Sequence, residues 1–593
     1  MTRVADLLHL EPQLTLDGVA LSQTLTFSFA TGGTGEDLER LLNRARVAPS
    51  QFRAEAFARD LFLLEVVQRC LTVTIEGRER PLRRAQLLRE LSHPCVSLQS
   101  LAFRQGILRE LSEAPALRRA LEQLWLGIEA LRGALESADR SKRFDAIARR
   151  VEILKTIKDA IDRLGGAFEG ATSGLSRVAE LGRGIRAGAE FHDLCEFLDH
   201  EGHLATLDLR VSVGRGGEVR GFEILRAHEN SSNRFHTSPW RRFVTRVRML
   251  FGGYRLRESE IAGRLTNHVF DGVQDAVIAL FQLGLHCEFY LAALGLRDVA
   301  AARGLAVCLP ELTLPNASAD GAQGSSLVRL FNPLLLLEKQ PPRPCDLRLG
   351  PADLVIITGP NSGGKTRLLQ ALGLTQLLGQ AGYFVPAAEA RLVWRDGLFV
   401  SLIQESGAEQ PEGRLGMELL RIRRLFEQLG FNSLVIMDEL CSGTNPSEGE
   451  EIFQLVVTLL SELEPQALIT THFLQFAERL ALARPAPNLA FLQVELDAHN
   501  EPTYGFVPGV APTSLAGRTA ERLGVTREAL EALVEQRRRQ HAAWRSASQL
   551  ADNKPHHDEH GQGAEDAHPH TDFEDALHGF AGRQLQTKRA ESS

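Results

Sequence analysis

Over the first three hundred positions, apolar residues recur at steps of three and four, the spacing that lines one face of a helix. Between Leu117 and Leu164 the pattern meets few breakers, Gly127 and Gly133 excepted, and predicts long helices packed as an extended bundle. Shorter helices are expected over Asp37–Arg46, Ser50–Leu71, Leu82–Leu91 and Leu98–Leu111, with His93-Pro94 as a break. Leu7–Leu21 reads as a short strand or turn region, and Thr24–Phe29 alternates like a strand. Period two returns from Ala205 to Arg226. There Leu207, Leu209, Val211 and Val213 precede a turn with Gly214, Gly216 and Gly217, and Val219, Phe222 and Ile224 follow it, as in a hairpin embedded among helices. His268–Leu294 is again strongly apolar helix.

From Leu327 onward the pattern changes. Strand-like runs at Leu354–Thr358, Phe399–Ile403, Leu434–Met437, Ala467–Thr471 and Asn488–Leu496 alternate with helical stretches, which implies a largely parallel sheet covered by helices. Residues 314–326 read as a loop near a domain boundary at 304. The expected fold class is therefore α followed by α/β: a long-helix domain over 1–303, then a sheet-containing domain over 304–545. Residues 546–593 are polar, with His556, His557, His560, His568, His570 and His578 set among acids, and read as a disordered tail able to bind metal.

The first strand of the second domain leads into Gly359, Pro360, Asn361, Ser362, Gly363, Gly364, Lys365 and Thr366, and then into a helix over Leu368–Gln380. Strand, glycine-rich loop and helix are the setting of a phosphate-binding loop. Amides of the turn and the helix N-terminus converge on phosphate oxygens, and glycine leaves no Cβ in the way. Lys365 is placed to bridge β- and γ-phosphates, and the Thr366 hydroxyl to help hold Mg²⁺. The lysine is itself informative, because the chain has 60 Arg and only 7 Lys, and Lys365 is the only lysine between Lys339 and Lys554. A compact ammonium does not exchange freely with a planar guanidinium inside a phosphate cradle.

Two further strand ends carry chemistry. Ser433–Met437 runs into Asp438-Glu439, putting two carboxylates at the C-terminal edge of a parallel sheet, where ligands of such folds bind. Asp438 suits Mg²⁺, directly or through water, and Glu439 suits the base or water-positioner for attack on a γ-phosphate. Thr470-Thr471-His472 ends the next strand, and His472 on the same edge could report whether that phosphate is present.

Composition adds limits. The formal charge is −8, and residues 550–593 contribute 9 acids against 4 bases, so any nucleic-acid surface has to be a local patch. One patch exists: Arg234–Arg257 holds seven arginines and no acid, with Phe235, Trp240, Phe243, Phe251 and Tyr254 interleaved. On a helix the apolar residues share one face and Arg241, Arg242, Arg246 and Arg248 lie mostly opposite. That face can contact DNA phosphates, or be the solvated side of a packing helix, or lie on a membrane surface. Seven cysteines without a C-x-x-C spacing point to free thiols in a reducing cytoplasm. No run approaches eighteen consecutive apolar residues, so no membrane span is expected, and no signal peptide is visible.

With these residues placed, the chain resembles the MutS family of mismatch-repair ATPases, which are related to the ABC-type ATPases. Gly359 to Thr366 is similar to the family's phosphate loop, with its Pro-Asn after the first Gly, and Asp438-Glu439 followed by Leu440 to Gly449 is similar to its acidic strand end and the loop beyond. The Asn445-Pro446-Ser447-Glu448-Gly449 variant is nearest to the Smr-tailed branch that acts on recombination intermediates. Gly382–Pro386, Thr471-His472, Pro502–Tyr504 and Pro508-Gly509 also match, and Arg104-Gln105 is a weak echo in the helical half. The resemblance covers about 330–535.

That resemblance implies a helical core/lever domain joined to a P-loop ATPase that uses ATP and Mg²⁺ and forms a homodimer with composite sites. It also implies recognition of mismatched, branched or distorted DNA in repair or recombination, switched by ATP binding and hydrolysis. Three departures shape the expectation. The N-terminal mismatch-reading domain is expected to be missing, with no Phe-x-Glu in the first 303 residues, and so is an Smr tail. Glu412–Leu419, where the family's trans-acting serine is expected, contains no Ser or Thr, so efficient hydrolysis is in question while nucleotide binding is not. Backbone amides at Gly413 or Gly416, with Arg414 nearby, could take its place. The competing reading is a nucleotide-gated dimeric interaction protein with weak or no hydrolysis and no direct DNA contact.

Overall fold

The computed structural model describes residues 4–33, 35–136, 146–203, 206–213, 219–228, 255–315, 324–402, 414–442, 445–512 and 523–552. The basic segment with Arg241, Arg242, Arg246 and Arg248, Gly413, and the tail beyond 552 lie outside the described residues. Contacts divide the chain into a unit running to Leu515 and a second from Ala516.

The first unit opens with α1 (Gly18–Thr31), α2 (Gly35–Leu42), α3 (Leu63–Arg69), the short hairpin β1 (Val73–Ile75) and β2 (Arg78–Arg80), α4 (Arg84–Ser92), α5 (Leu98–Glu113), α6 (Pro115–Glu136), α7 (Ala146–Asp162), α8 (Ser176–Arg186) and α9 (Ala189–His203). The expected hairpin is present as β3 (Thr206–Val213) and β4 (Val219–His228), antiparallel from Thr206↔His228 to Val213↔Val219. Then comes α10 (Arg255–Ala302), 48 residues long.

Two helical-half expectations need correction. Thr24–Phe29 is not a strand but the end of α1, because Leu21, Leu25, Ser28 and Phe29 are buried at helical spacing and Asp17 caps the start by accepting from the Ala20 amide. Tertiary packing overrides the local alternation: the Phe29 ring stacks on Phe270 of α10 at 4.0 Å. Ser50–Leu71 is not one helix. A 3₁₀ turn at Ala54–Ala56 is followed by Phe62 at φ 54°, and regular helix begins only at Leu63.

From Ala276 to Leu296 α10 is buried at every position, packed against α1, α6, α7 and α9. Its stretch Leu265–Ala302 contains an 18-residue window of mean hydropathy 1.6, long and apolar enough to cross a bilayer, although no run of consecutive apolar residues signalled it. That window is wholly buried inside the protein, as in a core helix.

The rest of this unit contains β5 (Glu311–Thr313), β6 (Ser325–Leu330), β7 (Cys345–Leu349), β8 (Leu354–Thr358), α11 (Lys365–Ala381), β9 (Glu389–Val393), β10 (Gly397–Ser401), α12 (Arg414–Gln428), β11 (Ser433–Met437), α13 (Pro446–Leu463), β12 (Gln466–Thr470), α14 (Leu474–Ala483), β13 (Leu489–Leu496) and β14 (Pro502–Pro508). The main sheet has the order β10-β11-β12-β8-β13-β14, parallel except for the last pair. A second sheet, β5-β9-β6-β7, was not expected from the sequence; its strand β6 begins at Ser325, inside the stretch read as loop.

Side-chain alternation divides the main sheet between two cores. Leu354, Ile356, Val435, Met437, Ala467 and Ile469 pack with Leu425, Phe453, Val456 and Phe476 of α12, α13 and α14. Val355, Ile357, Leu434, Ile436 and Leu468 face α11 and join the core of the helical bundle. The bundle grips the far end of α11 through polar groups as well. Arg104 donates from Nη1 to Ala381 O at 3.1 Å and from Nε to Leu8 O at 3.0 Å, and the Cys95 amide donates to Gln380 O at 3.0 Å. These buried donors satisfy C-terminal carbonyls of the helix that starts at the phosphate loop.

In the second unit, α15 (Arg527–Asp552) exposes Leu530, Leu533 and Val534, and it extends past position 546, where the polar tail was expected to begin.

Candidate nucleotide site

β8 is buried at every position and sits inside the parallel part of the sheet, so its C-terminal end opens at the sheet edge between neighbouring strands. The chain then turns through Gly359 at φ 140°, Ser362 at φ 68° and Gly364 at φ 90° before α11 begins at Lys365. A Cβ on Gly359 would lie 2.6 Å from Val494 Cγ2, and one on Gly363 would lie 2.9 Å from both Pro360 O and Val494 Cγ2. The loop is thus glycine where β13 presses on it, while Asn361 and Ser362 at its crest are exposed. Lys365 is 6% exposed, and its Nζ donates to Gly359 O at 2.9 Å and Pro360 O at 3.1 Å. Burial holds its pKa below the ordinary lysine value, and the carboxylates of Glu439 and Asp438 oppose that shift.

The acids arrive from β11, which is not a neighbour of β8; β12 lies between them. Met437 pairs with Ile469, so Asp438 emerges beside Thr470. Thr470, wholly buried, donates from Oγ1 to Asp438 Oδ1 and accepts from the Glu439 amide at 2.7 Å. On its other side Asp438 Oδ2 accepts from Thr366 Oγ1 at 2.5 Å, and the Asp438 amide donates to Ser401 O at 2.9 Å. A chain of hydrogen bonds therefore runs from the first turn of α11 through Asp438 and Thr470 to the backbone of Glu439. Glu439 itself sits at φ 50°, in the left-handed region that few non-glycine residues occupy.

Lys365, Thr366, Asp438 and Glu439 lie together at one end of the main sheet. His472 lies two residues past Thr470 on the same edge, exposed, with its ring 4.4 Å from that of Phe473. Among the described residues no hydrogen bond joins that ring to either acid.

Sequence reasoning gave Thr470 no role. It named the Thr-Thr-His triplet but looked only at the histidine, since nothing in the chain announces that β12 separates the other two strands. Tyr504 on β14 is a second addition. Its ring comes 3.1 Å from where a Cβ on Gly364 would stand, with the Arg343 guanidinium 5.6 Å over the ring. Both line a cavity of about 280 Å³ beside the loop, together with Gln340, Leu368 and Phe506.

The donor set suits a magnesium-bound nucleoside triphosphate. A hydroxyl and a carboxylate converge as hard oxygen ligands, a buried ammonium waits at the loop, and the cradle has space only where glycine omits a Cβ. By fold and site this part of the chain is a P-loop nucleotide-binding domain with a mostly parallel sheet. Residues 355–536 match the family model described as MutS domain V. It is similar to proteins named Endonuclease MutS2: 36% identical over 178 residues to that of Thermus thermophilus, covering 30% of this chain and 24% of the relative. The counterpart of Thermomicrobium roseum is 34% identical over 198 residues (33% and 25%), and that of Ligilactobacillus salivarius 32% over 202 residues (34% and 25%). The matches thus span about a quarter of the length of these curated relatives.

Proposed function

We propose that the chain binds Mg²⁺–ATP at the rim of the main sheet and hydrolyses it, and that nucleotide state switches a homodimer which recognises mismatched, branched or distorted DNA. The observation that carries the reading is the hydrogen-bond chain Thr366–Asp438–Thr470–Glu439, with Lys365 buried beside it. In this account residues 1–303 act as helical lever and core, 304–545 as motor and the polar residues beyond α15 as tail.

Amides of Gly359 and of Asn361 to Gly364 and the Lys365 ammonium would hold the triphosphate, and the hydroxyl of Thr366 and the carboxylate of Asp438 would hold Mg²⁺, which when bound neutralises phosphate charge. Glu439 orients a water and takes its proton on a carboxylate oxygen. His472 answers to the γ-phosphate. The purine stacks on Tyr504, whose ring walls the adjoining cavity. Arg241, Arg242, Arg246 and Arg248 contact DNA phosphates. Support for the DNA step comes from that acid-free arginine run and from relatives named as endonucleases, enzymes that cut nucleic acid. Seven free thiols fit a reducing, cytoplasmic setting.

A second reading has one observation in its favour. The lack of Ser or Thr between 412 and 419 suits a nucleotide-gated interaction protein that turns over slowly and makes no DNA contact. Electrophoretic retention of branched, mismatched and plain duplexes separates the two, run with and without ATP and at about 50 and 200 mM salt. A DNA-contacting chain loses retention steeply with salt, and the fourfold alanine variant of the named arginines binds DNA less tightly but ATP equally. Weak retention that ignores salt would leave the second reading standing.

A further inference from the structure

α12 carries an inversion of the usual burial order. Leu419 and Leu420 are 45% and 36% exposed, whereas Glu418, one residue earlier, is 6% exposed. Glu418 lies four and seven residues before Ile422 and Leu425, on the stripe that packs against the sheet. A carboxylate on the buried stripe of an amphipathic helix is kept there by something polar.

That partner is the turn after the two acids. Glu418 Oε1 accepts from the Cys441 amide at 2.5 Å. The turn passes through two left-handed, non-glycine positions, Glu439 at φ 50° and Cys441 at φ 63°, with Leu440 buried between them. Backbone in that region persists only where its surroundings fix it. Thr470 holds the amide at one end of the turn, and Glu418 holds the amide at the other. One helical turn further along α12, Arg421 Nε donates to Ser401 Oγ at 2.7 Å, and Ser401 O in turn accepts from the Asp438 amide. Burial and the nearby Glu418 carboxylate push the Cys441 thiol up to about 12, consistent with a carboxylate pressed against this loop.

We propose that Glu418 is a positioning residue. By anchoring the Cys441 amide it sets the left-handed turn that aims the Glu439 carboxylate, and through it α12 governs the geometry of the water-orienting acid. The inference rests on the reading of Glu439 given above.

The test uses the full chain with Glu418→Ala, Glu418→Gln and Glu418→Asp, with three readouts: ATP turnover resolved into kcat and KM, amide hydrogen exchange of 439–442, and the melting curve as a check of folding. Glu418→Ala and Glu418→Asp, the latter keeping the charge but withdrawing the acceptor by one methylene, are expected to lower kcat about 30- to 100-fold. KM is expected to stay within about threefold, because the phosphate cradle is untouched. Exchange at 439–442 speeds up in both. Glu418→Gln still offers an acceptor oxygen and stays within about fivefold of the parent on every readout. A folded Glu418→Ala or Glu418→Asp variant with parental kcat and parental exchange overturns the proposal, as does a Gln variant as impaired as Ala. If Ala fails to fold, Asp decides. Should neither the parent nor Glu439→Gln turn over ATP, the reading of Glu439 fails, and exchange alone decides whether Glu418 fixes the turn.

Discussion

Thr470→Val removes one hydroxyl and changes little in shape, so its effects isolate the hydrogen bonds of that hydroxyl. The oxygen accepts from the Glu439 amide at 2.7 Å and donates to Asp438, on a side chain with no exposure. Leaving a buried amide without an acceptor costs roughly 1–3 kcal/mol, and a bond to a carboxylate contributes about 1.5–3 kcal/mol. Asp438 keeps its bond from Thr366, which softens the second loss, so the expected destabilisation is roughly 2–4 kcal/mol. Thr470→Ser keeps the hydroxyl and is expected within about 1 kcal/mol of the parent. Denaturant unfolding of the three proteins side by side reads the stability. ATP turnover reads the consequence for the acids: without its fixed amide Glu439 swings off line, and kcat is expected to drop about 10- to 100-fold in Val and little in Ser. Valine and serine variants that match in both stability and turnover would refute the idea that Thr470 sets the two carboxylates.

His286 provides a pH signature. It is 2% exposed and its Nδ1 accepts from the Leu7 amide at 3.2 Å, so protonation would set one donor against another in a buried site; burial, opposed by Asp6, pushes its pKa down to about 4. A base whose folded value lies below its unfolded one gives stability that is complete above pH 6.5 and lost as pH falls toward 4, here about 3 kcal/mol. His286→Gln should flatten that slope, and an equally steep loss in the variant would contradict it. Lys365→Met discards a buried charge, so the melting point without nucleotide should not fall, whereas the stabilisation of about 2.7 kcal/mol expected from ATP at 100 times Kd should vanish. An ATP shift that survives would remove Lys365 from the phosphates. Gly382→Ala places a Cβ at φ 90° and 2.8 Å from Arg104 Cβ, for an expected loss of about 2–4 kcal/mol by denaturant unfolding; a loss under about 0.5 kcal/mol would mean that the α11–bundle junction tolerates slack.

The phosphate loop was legible because its chemistry and its local structure share one short stretch: β8, three glycines, Lys365 and α11 are contiguous. The acids were legible for the same reason, each following its own strand. What the chain could not show was strand order. Register places Thr470 against Asp438 only because β12 inserts between β8 and β11, and that is decided by packing over many residues. Glu418 was hidden differently: at helical spacing it occupies a core position that residue type alone assigns to solvent. Thr24–Phe29 misled because its alternation is as regular as a strand's, and only the stacking of Phe29 on Phe270, far along the chain, decides for helix.

The central claim is that the carboxylate of Glu439 activates water on an ATP held by Lys365, Thr366 and Asp438. Phosphate release and retained radiolabelled ATP, measured together on the full chain and on Glu439→Gln with and without Mg²⁺, test it most directly. The account predicts Mg²⁺-dependent turnover by the parent and a variant that keeps ATP bound while releasing at least about 100-fold less phosphate. Equal turnover by both proteins, or a parent that retains no ATP, would contradict it.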